Sequence, residues 1–153
     1  MTDQSRHPSQ RYDRRPAAPE QASPRHCAML PHPVPRDPDS QLLLFAFRRM
    51  AQHGLRDAVA AERMLGRYGA QFRAPLVLLR AFVLELAQNG ARNIAIGHCC
   101  MPRMTADESA ILGVLADPDT GGECLDGLMG GASSGHAHQI AHFLAEKIAE
   151  TKA

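Results

Sequence analysis

The stretch GHCCMPRMTADE, residues 97–108, sets one histidine, two adjacent cysteines and two methionines just ahead of a helix start. Three chemistries compete for it. In the first, Cys99 or Cys100 works as a thiolate, stabilised by Arg103 and by the positive end of the helix that follows Thr105. That arrangement makes a reactive or redox-sensing thiol. In the second, Cys99 and Cys100, with His98 nearby, join His138 and His142 around a metal. The two histidines stand four residues apart, which puts both imidazoles on one helical face. Sulfur with imidazole suits zinc or Cu(I), and a thioether from Met101 or Met104 tilts the choice toward copper. In the third, the sulfur side chains are adaptable apolar groups that fill the gap between a central helix and the next one.

A second pattern is basic. Arg48, Arg49, Arg56, Arg63, Arg67 and Arg73 recur along two helices and define a candidate nucleic-acid face. Most of them occupy the polar positions that an amphipathic helix fills anyway, and few aromatic side chains accompany them for base stacking. A solvated face is the simpler reading. The chain carries no GxSxG, HExxH or P-loop, and its glycine-rich GLMGGASSG lacks the lysine and strand–helix setting that phosphate binding needs. Asp107 and Glu108 read as acids that favour a helix N-terminus. Glu85 reads as the lone buried carboxylate, paired to Arg80 or Arg92.

The elements that must position these residues are helices. Residues 1–36 are rich in Pro, Arg, Gln and Ser and read as a disordered arm, whose last part, LPHPVP, suits an extended conformation along the domain surface. The domain proper is 37–153. Asp37 caps and Pro38 opens a first helix that runs to about His53, where Gly54 stops it. Its apolar residues cover more than one stripe, with Arg48 and Arg49 on the wet edge. A second helix runs from about Leu55 to Tyr68, and a third starts at Pro75. LVLLRAFVLELA is apolar nearly all round, as a central helix should be.

NGARNIAIGH breaks the helical period and reads as a brief extended segment. Thr105 and Glu108 form a T-x-x-E capping box that opens the next helix. Residues 117–135 are glycine-rich and flexible by composition, so CLDGLMG is at best a short helix. A last helix, about His136–Glu150, repeats apolar residues at Ile140, Phe143, Leu144 and Ile148. The expected fold is all-α: about five helices around Leu76–Ala87.

The formal charge of +1 hides a split, with ten Arg against five acids in residues 36–103 and two Lys against eight acids in 104–153. Two mutually attractive halves of one fold would look this way. The sequence has no apolar run of signal-peptide or bilayer length, so the expectation is a cytoplasmic protein with no membrane contact and with reduced cysteines.

At LLLFAFRRMAQHGLRDA, PLVLLRA and CCMPRMTADE the chain resembles a family of short uncharacterised bacterial proteins, chiefly alphaproteobacterial, defined by a domain of unknown function. The likeness spans roughly residues 31–115, and a cysteine run followed by PRMT is its most specific part. Family members carry a third cysteine where Met101 stands here, which weighs against every sulfur being an essential ligand. The resemblance implies no activity and no cofactor. The expectation from the residues is a small non-enzymatic binding or regulatory protein with a thiol loop at Cys99, Cys100 and Arg103. The alternatives are zinc or copper binding through Cys99, Cys100, His138 and His142, and nucleic-acid binding through the arginine-bearing helices.

Overall fold

The structure is a computed structural model and describes residues 32–131 and 134–152. Its helices are α1 (Pro38–His53), α2 (Ala58–Tyr68), α3 (Arg73–Asn89), α4 (Ala106–Ala116), α5 (Gly122–Met129) and α6 (Ser134–Glu150). A 3₁₀ turn, Gly69–Phe72, links α2 to α3. Two strands of two residues each, β1 (His32–Pro33) and β2 (Arg103–Met104), pair antiparallel with His32 opposite Met104. The fold is all-α, as the periodicity implies.

Local chemistry explains most boundaries. The Asp37 carboxylate accepts from the Ser40 amide at 2.8 Å, Pro38 enters the first turn where no amide is needed, and Gly54 leaves α1 at a φ of 95°. The second helix starts at Ala58 rather than Leu55, because Asp57 accepts from the Ala60 amide at 2.8 Å and so becomes its cap. The third starts at Arg73, two residues before Pro75, since the 3₁₀ turn feeds straight into it. Pro75 still falls in the first turn, where its missing N–H costs nothing. Glycine-rich residues 117–135 contain a real helix in α5, and residues 132–133 lie outside the described ones.

The core forms where α3 lies along α6, with α1, α2, α4 and α5 closing around them. Leu79, Phe82 and Leu86 of α3 meet Ala137, Ile140, Ala141 and Leu144 of α6, all buried. The expectation of apolar contact all round α3 is too broad: Val77 is 60% exposed, so one flank of the helix faces solvent. Phe143 likewise points outward, because the buried stripe of α6 runs through 137, 140, 141, 144 and 148 and leaves 143 off its face.

The expectation for the start of the domain changes in part. Residues 1–31 of the expected disordered arm, Cys27 among them, lie outside the described residues. Residues 32–36, however, belong to the fold: β1 pairs with β2, and Gln41 Nε2 donates to the Pro35 carbonyl at 2.8 Å. The segment around Ile94 and Ile96 crosses the domain without a strand partner, in keeping with its reading as a brief extended segment outside the helices, and side chains of neighbouring helices satisfy its backbone. Among the described residues no helix is long and apolar enough to cross a membrane.

Candidate functional site

The cysteines sit on a β-turn. The Met101 amide donates to the His98 carbonyl at 3.0 Å, so Cys99 and Cys100 are its two central residues. Their sulfurs are 3.5 Å apart, with Cys99 half-buried and Cys100 exposed. This overturns the reading in which both cysteines pack as core filler. Met104 does fill the core, at 4% exposure.

What holds the turn is a buried ion pair. Arg48, placed on the wet edge of α1 by its charge, is only 2% exposed, and Glu108 of α4 is wholly buried. Arg48 Nε and Nη2 donate to the two oxygens of Glu108, each at 2.8 Å, in the bidentate geometry that suits a guanidinium and a carboxylate. Arg48 also donates to backbone: Nη1 to the Met101 carbonyl at 3.0 Å and Nη2 to the Arg103 carbonyl at 2.7 Å. Glu108 accepts in turn from the Gly97 amide at 2.8 Å and the Thr105 amide at 2.9 Å. One pair thus grips the chain on both sides of the dithiol turn.

The rest of the approach is tied in the same way. Thr105 Oγ1 accepts from the Glu108 amide at 3.0 Å, completing the capping box, and donates to the Ala95 carbonyl at 2.7 Å. Asp107 accepts from the Ala95 amide at 2.7 Å and from both terminal nitrogens of Arg92, at 2.6 and 2.8 Å. Gln52 Nε2 donates to the Gly97 carbonyl at 2.9 Å. Gly97 keeps this approach close: a Cβ there would lie 3.1 Å from Arg48 Nη2 and 3.3 Å from Met101 Sδ, so those side chains would have to give by a few tenths of an ångström.

The electrostatics follow from these contacts. Burial pushes the Glu108 carboxyl up, but Arg48 and the amides of Thr105 and Gly97 outweigh it and hold the group below the usual carboxylate range. The Cys99 thiol, through its contact and its charge, raises the Cys100 thiol, and Arg49 opposes this. Arg49 is bound to Asp57, at 2.6 Å and 3.2 Å, and its field also reaches Cys99. Arg49 thus brings a guanidinium close to Cys99. Arg103, the partner expected from the sequence, lies on β2 with an exposed side chain, and its carbonyl belongs to the Arg48 clamp.

The histidines occupy another place. His138 and His142 do share a face of α6, with ring centroids 5.0 Å apart, and His142 Nε2 stands 3.3 Å from Asp119 Oδ1. Among the described residues no three of His, Cys, Asp and Glu come together as metal ligands, so Cys99, Cys100, His138 and His142 do not form one cluster. Glu85 is not the lone buried carboxylate. It accepts from Asn89 at 2.8 Å and meets His136 at 3.0 Å, while Arg92 goes to Asp107.

Four of the six arginines of the basic pattern have partners within the fold: Arg48 on Glu108, Arg49 on Asp57, Arg67 on Asp39 at 2.8 Å, and Arg63 over the Phe45 ring at 5.4 Å. Arg48 and Arg92 cross from the basic half of the chain to acids of the acidic half, as mutually attractive halves require. The residue that sequence reasoning missed is Arg48. Its signal was position, four residues after buried Leu44 and next to buried Phe47, inside the apolar stripe rather than beside it.

Fold and site together define a class: a small helical domain that uses a buried arginine–carboxylate pair to hold a two-thiol turn at its surface. The chain belongs to the DUF6628 family, a family of unknown function, whose model matches residues 22–149. No curated protein and no solved structure matches it.

Proposed function

We propose that this is a small cytoplasmic, non-enzymatic binding or regulatory protein whose working element is the Cys99–Cys100 turn. One observation carries the reading: a fully buried ion pair is committed to the main chain on both sides of two adjacent thiols, one half-buried and one exposed. A buried pair is a poor way to gain stability, because desolvating both charges costs several kcal/mol and an apolar pair of the same volume often does as well. What it supplies is a fixed path for the loop. A turn of packing residues has no need of that, whereas a turn that must present two sulfurs to a partner or an oxidant does.

The test is alkylation of the folded chain with iodoacetamide, read by peptide mass spectrometry beside the far-ultraviolet circular dichroism. A thiol element that works in the native protein is modified at Cys99 and Cys100 without loss of helix. Modification of either residue only after denaturation overturns the proposal.

A further inference from the structure

The turn carries a third sulfur. Met101 follows Cys100 directly and lines the same 290 Å³ surface cavity as Cys99, together with Val34, Phe45, Arg48 and Pro102, while Cys100 stands outside that lining with its sulfur 3.5 Å from that of Cys99. Met104, the other methionine of the stretch, is 4% exposed and committed to the core. From this placement we infer that Cys99, Cys100 and Met101 form an all-sulfur site for Cu(I). The inference rests on the thiol-turn reading above and names its ligand.

The geometry separates two fates of the sulfur pair, a disulfide and a shared metal. A disulfide needs sulfurs about 2 Å apart and prefers Cα atoms roughly 4.4–6.8 Å apart. Adjacent residues hold their Cα atoms at only about 3.8 Å, and the Arg48–Glu108 clamp resists the distortion that would relieve this. A metal–sulfur bond of about 2.3 Å puts two ligating sulfurs roughly 3.8–4.0 Å apart at tetrahedral or trigonal angles. The observed 3.5 Å is far nearer to this than to a disulfide.

Between metals, coordination number separates the candidates. Structural zinc takes four ligands, and among the described residues the cysteine pair has no third His, Cys, Asp or Glu to extend it into a cluster. Cu(I) accepts soft thiolate and thioether donors and is satisfied by two or three of them. Binding releases the two thiol protons to solvent and leaves a bis-thiolate complex of net charge −1, with no change of oxidation state. Arg49, paired with Asp57, stands close enough for its field to reach Cys99.

The test is anaerobic titration of the full chain with Cu(I) against a chromogenic Cu(I) chelator, with sulfur ligation counted by X-ray absorption. The expected result is one Cu(I) per chain on sulfur alone. Cys99→Ser and Cys100→Ser should each weaken retention at least tenfold, and Met101→Leu several-fold, with helix content unchanged. Cys27→Ser, Cys124→Ser, Met104→Leu and the double change His138→Ala with His142→Ala should leave it as it was. Failure of the wild-type chain to hold Cu(I), while Cys99 and Cys100 still alkylate in the folded state, overturns the copper site and spares the thiol reading. Retention that survives loss of both cysteines, or that depends on His138, His142 or Cys27, overturns it as well. Loss of both copper and native alkylation removes both proposals.

Discussion

The dithiol turn and the histidine face of α6 are both surface sites with metal-ligand side chains, yet they are built in opposite ways. At the turn, Arg48 reaches across 60 residues of sequence to Glu108, and the pair holds four backbone groups between Gly97 and Thr105. On α6, His138 and His142 meet through helix periodicity; His142 reaches an exposed Asp119, and the His138 ring lies beside Gly122 of α5. The first place has geometry imposed by tertiary structure, and the second has only the spacing that any helix provides. Spacing proposes ligands; a clamp positions them.

The contrast breaks if the Arg48 pair is energetically idle. Arg48→Ala should cost about 3–5 kcal/mol in denaturant unfolding, because it leaves the Glu108 carboxylate buried without its cation. Arg48→Lys should recover only part of this, since an ammonium cannot reproduce the bidentate fork and the two carbonyl bonds. Replacing both members, Arg48→Met with Glu108→Leu, should recover most of the stability while changing the native alkylation rate of the turn. A double variant that is as unstable as Arg48→Ala would show that the backbone contacts, rather than the unpaired charge, dominate the loss.

A smaller effect is expected at the cap that joins the turn to α4. Thr105→Ala removes the bond to the Glu108 amide and the bond to the Ala95 carbonyl, and a lost cap of this kind costs about 1–2 kcal/mol. Unfolding midpoints at fixed m-value check it.

Acid should weaken the fold in a defined direction. Asp39, Asp57, Asp107 and Glu108 all have folded-state pKa values below their unfolded ones, so their contributions are complete above about pH 5, begin to fall as pH drops through the unfolded values, and vanish as it passes the folded ones. Asp39 falls to about 2, through its bond to Arg67 first and Lys152 beside it, and therefore sets the lower edge of the window. Denaturant midpoints between pH 5 and about pH 2 should decline, and Asp39→Asn should flatten the lower part of that decline. A wild-type midpoint constant over the window would contradict the ion pairs.

The smallest effect belongs to the histidines. His142→Ala should shift stability by less than about 0.5 kcal/mol, as surface pairs away from a packed network do. A larger loss would erase the distinction drawn between the two regions.

Helix ends were legible because their causes are local: Asp37 with Pro38, Gly54, and the Thr105–Glu108 box each act within four residues. The α2 start moved because Asp57 could be a helical residue or a cap, and only the fold shows its bond to Ala60. The site was half legible. Cys99 and Cys100 stood out by type, and the i, i+4 histidines by spacing, but which loop meets which helix is a tertiary fact. Glu108 was visible as a local capping residue, and its partner in α1 was not, since nothing near position 48 announces a carboxylate 60 residues on. Nothing near position 49 announces its partners either: the fold brings Arg49 to Asp57 and within reach of Cys99.

The central claim is that Glu108 fixes the chain on both sides of the dithiol turn, and native-state amide hydrogen exchange at Gly97 and Thr105 tests it most directly. Both amides donate to the buried carboxylate, so both should exchange only through large-scale unfolding, with opening free energies close to those of the α3 core. Exchange of either amide at the rate of an open loop, in a chain whose α3 amides remain protected, would contradict the account.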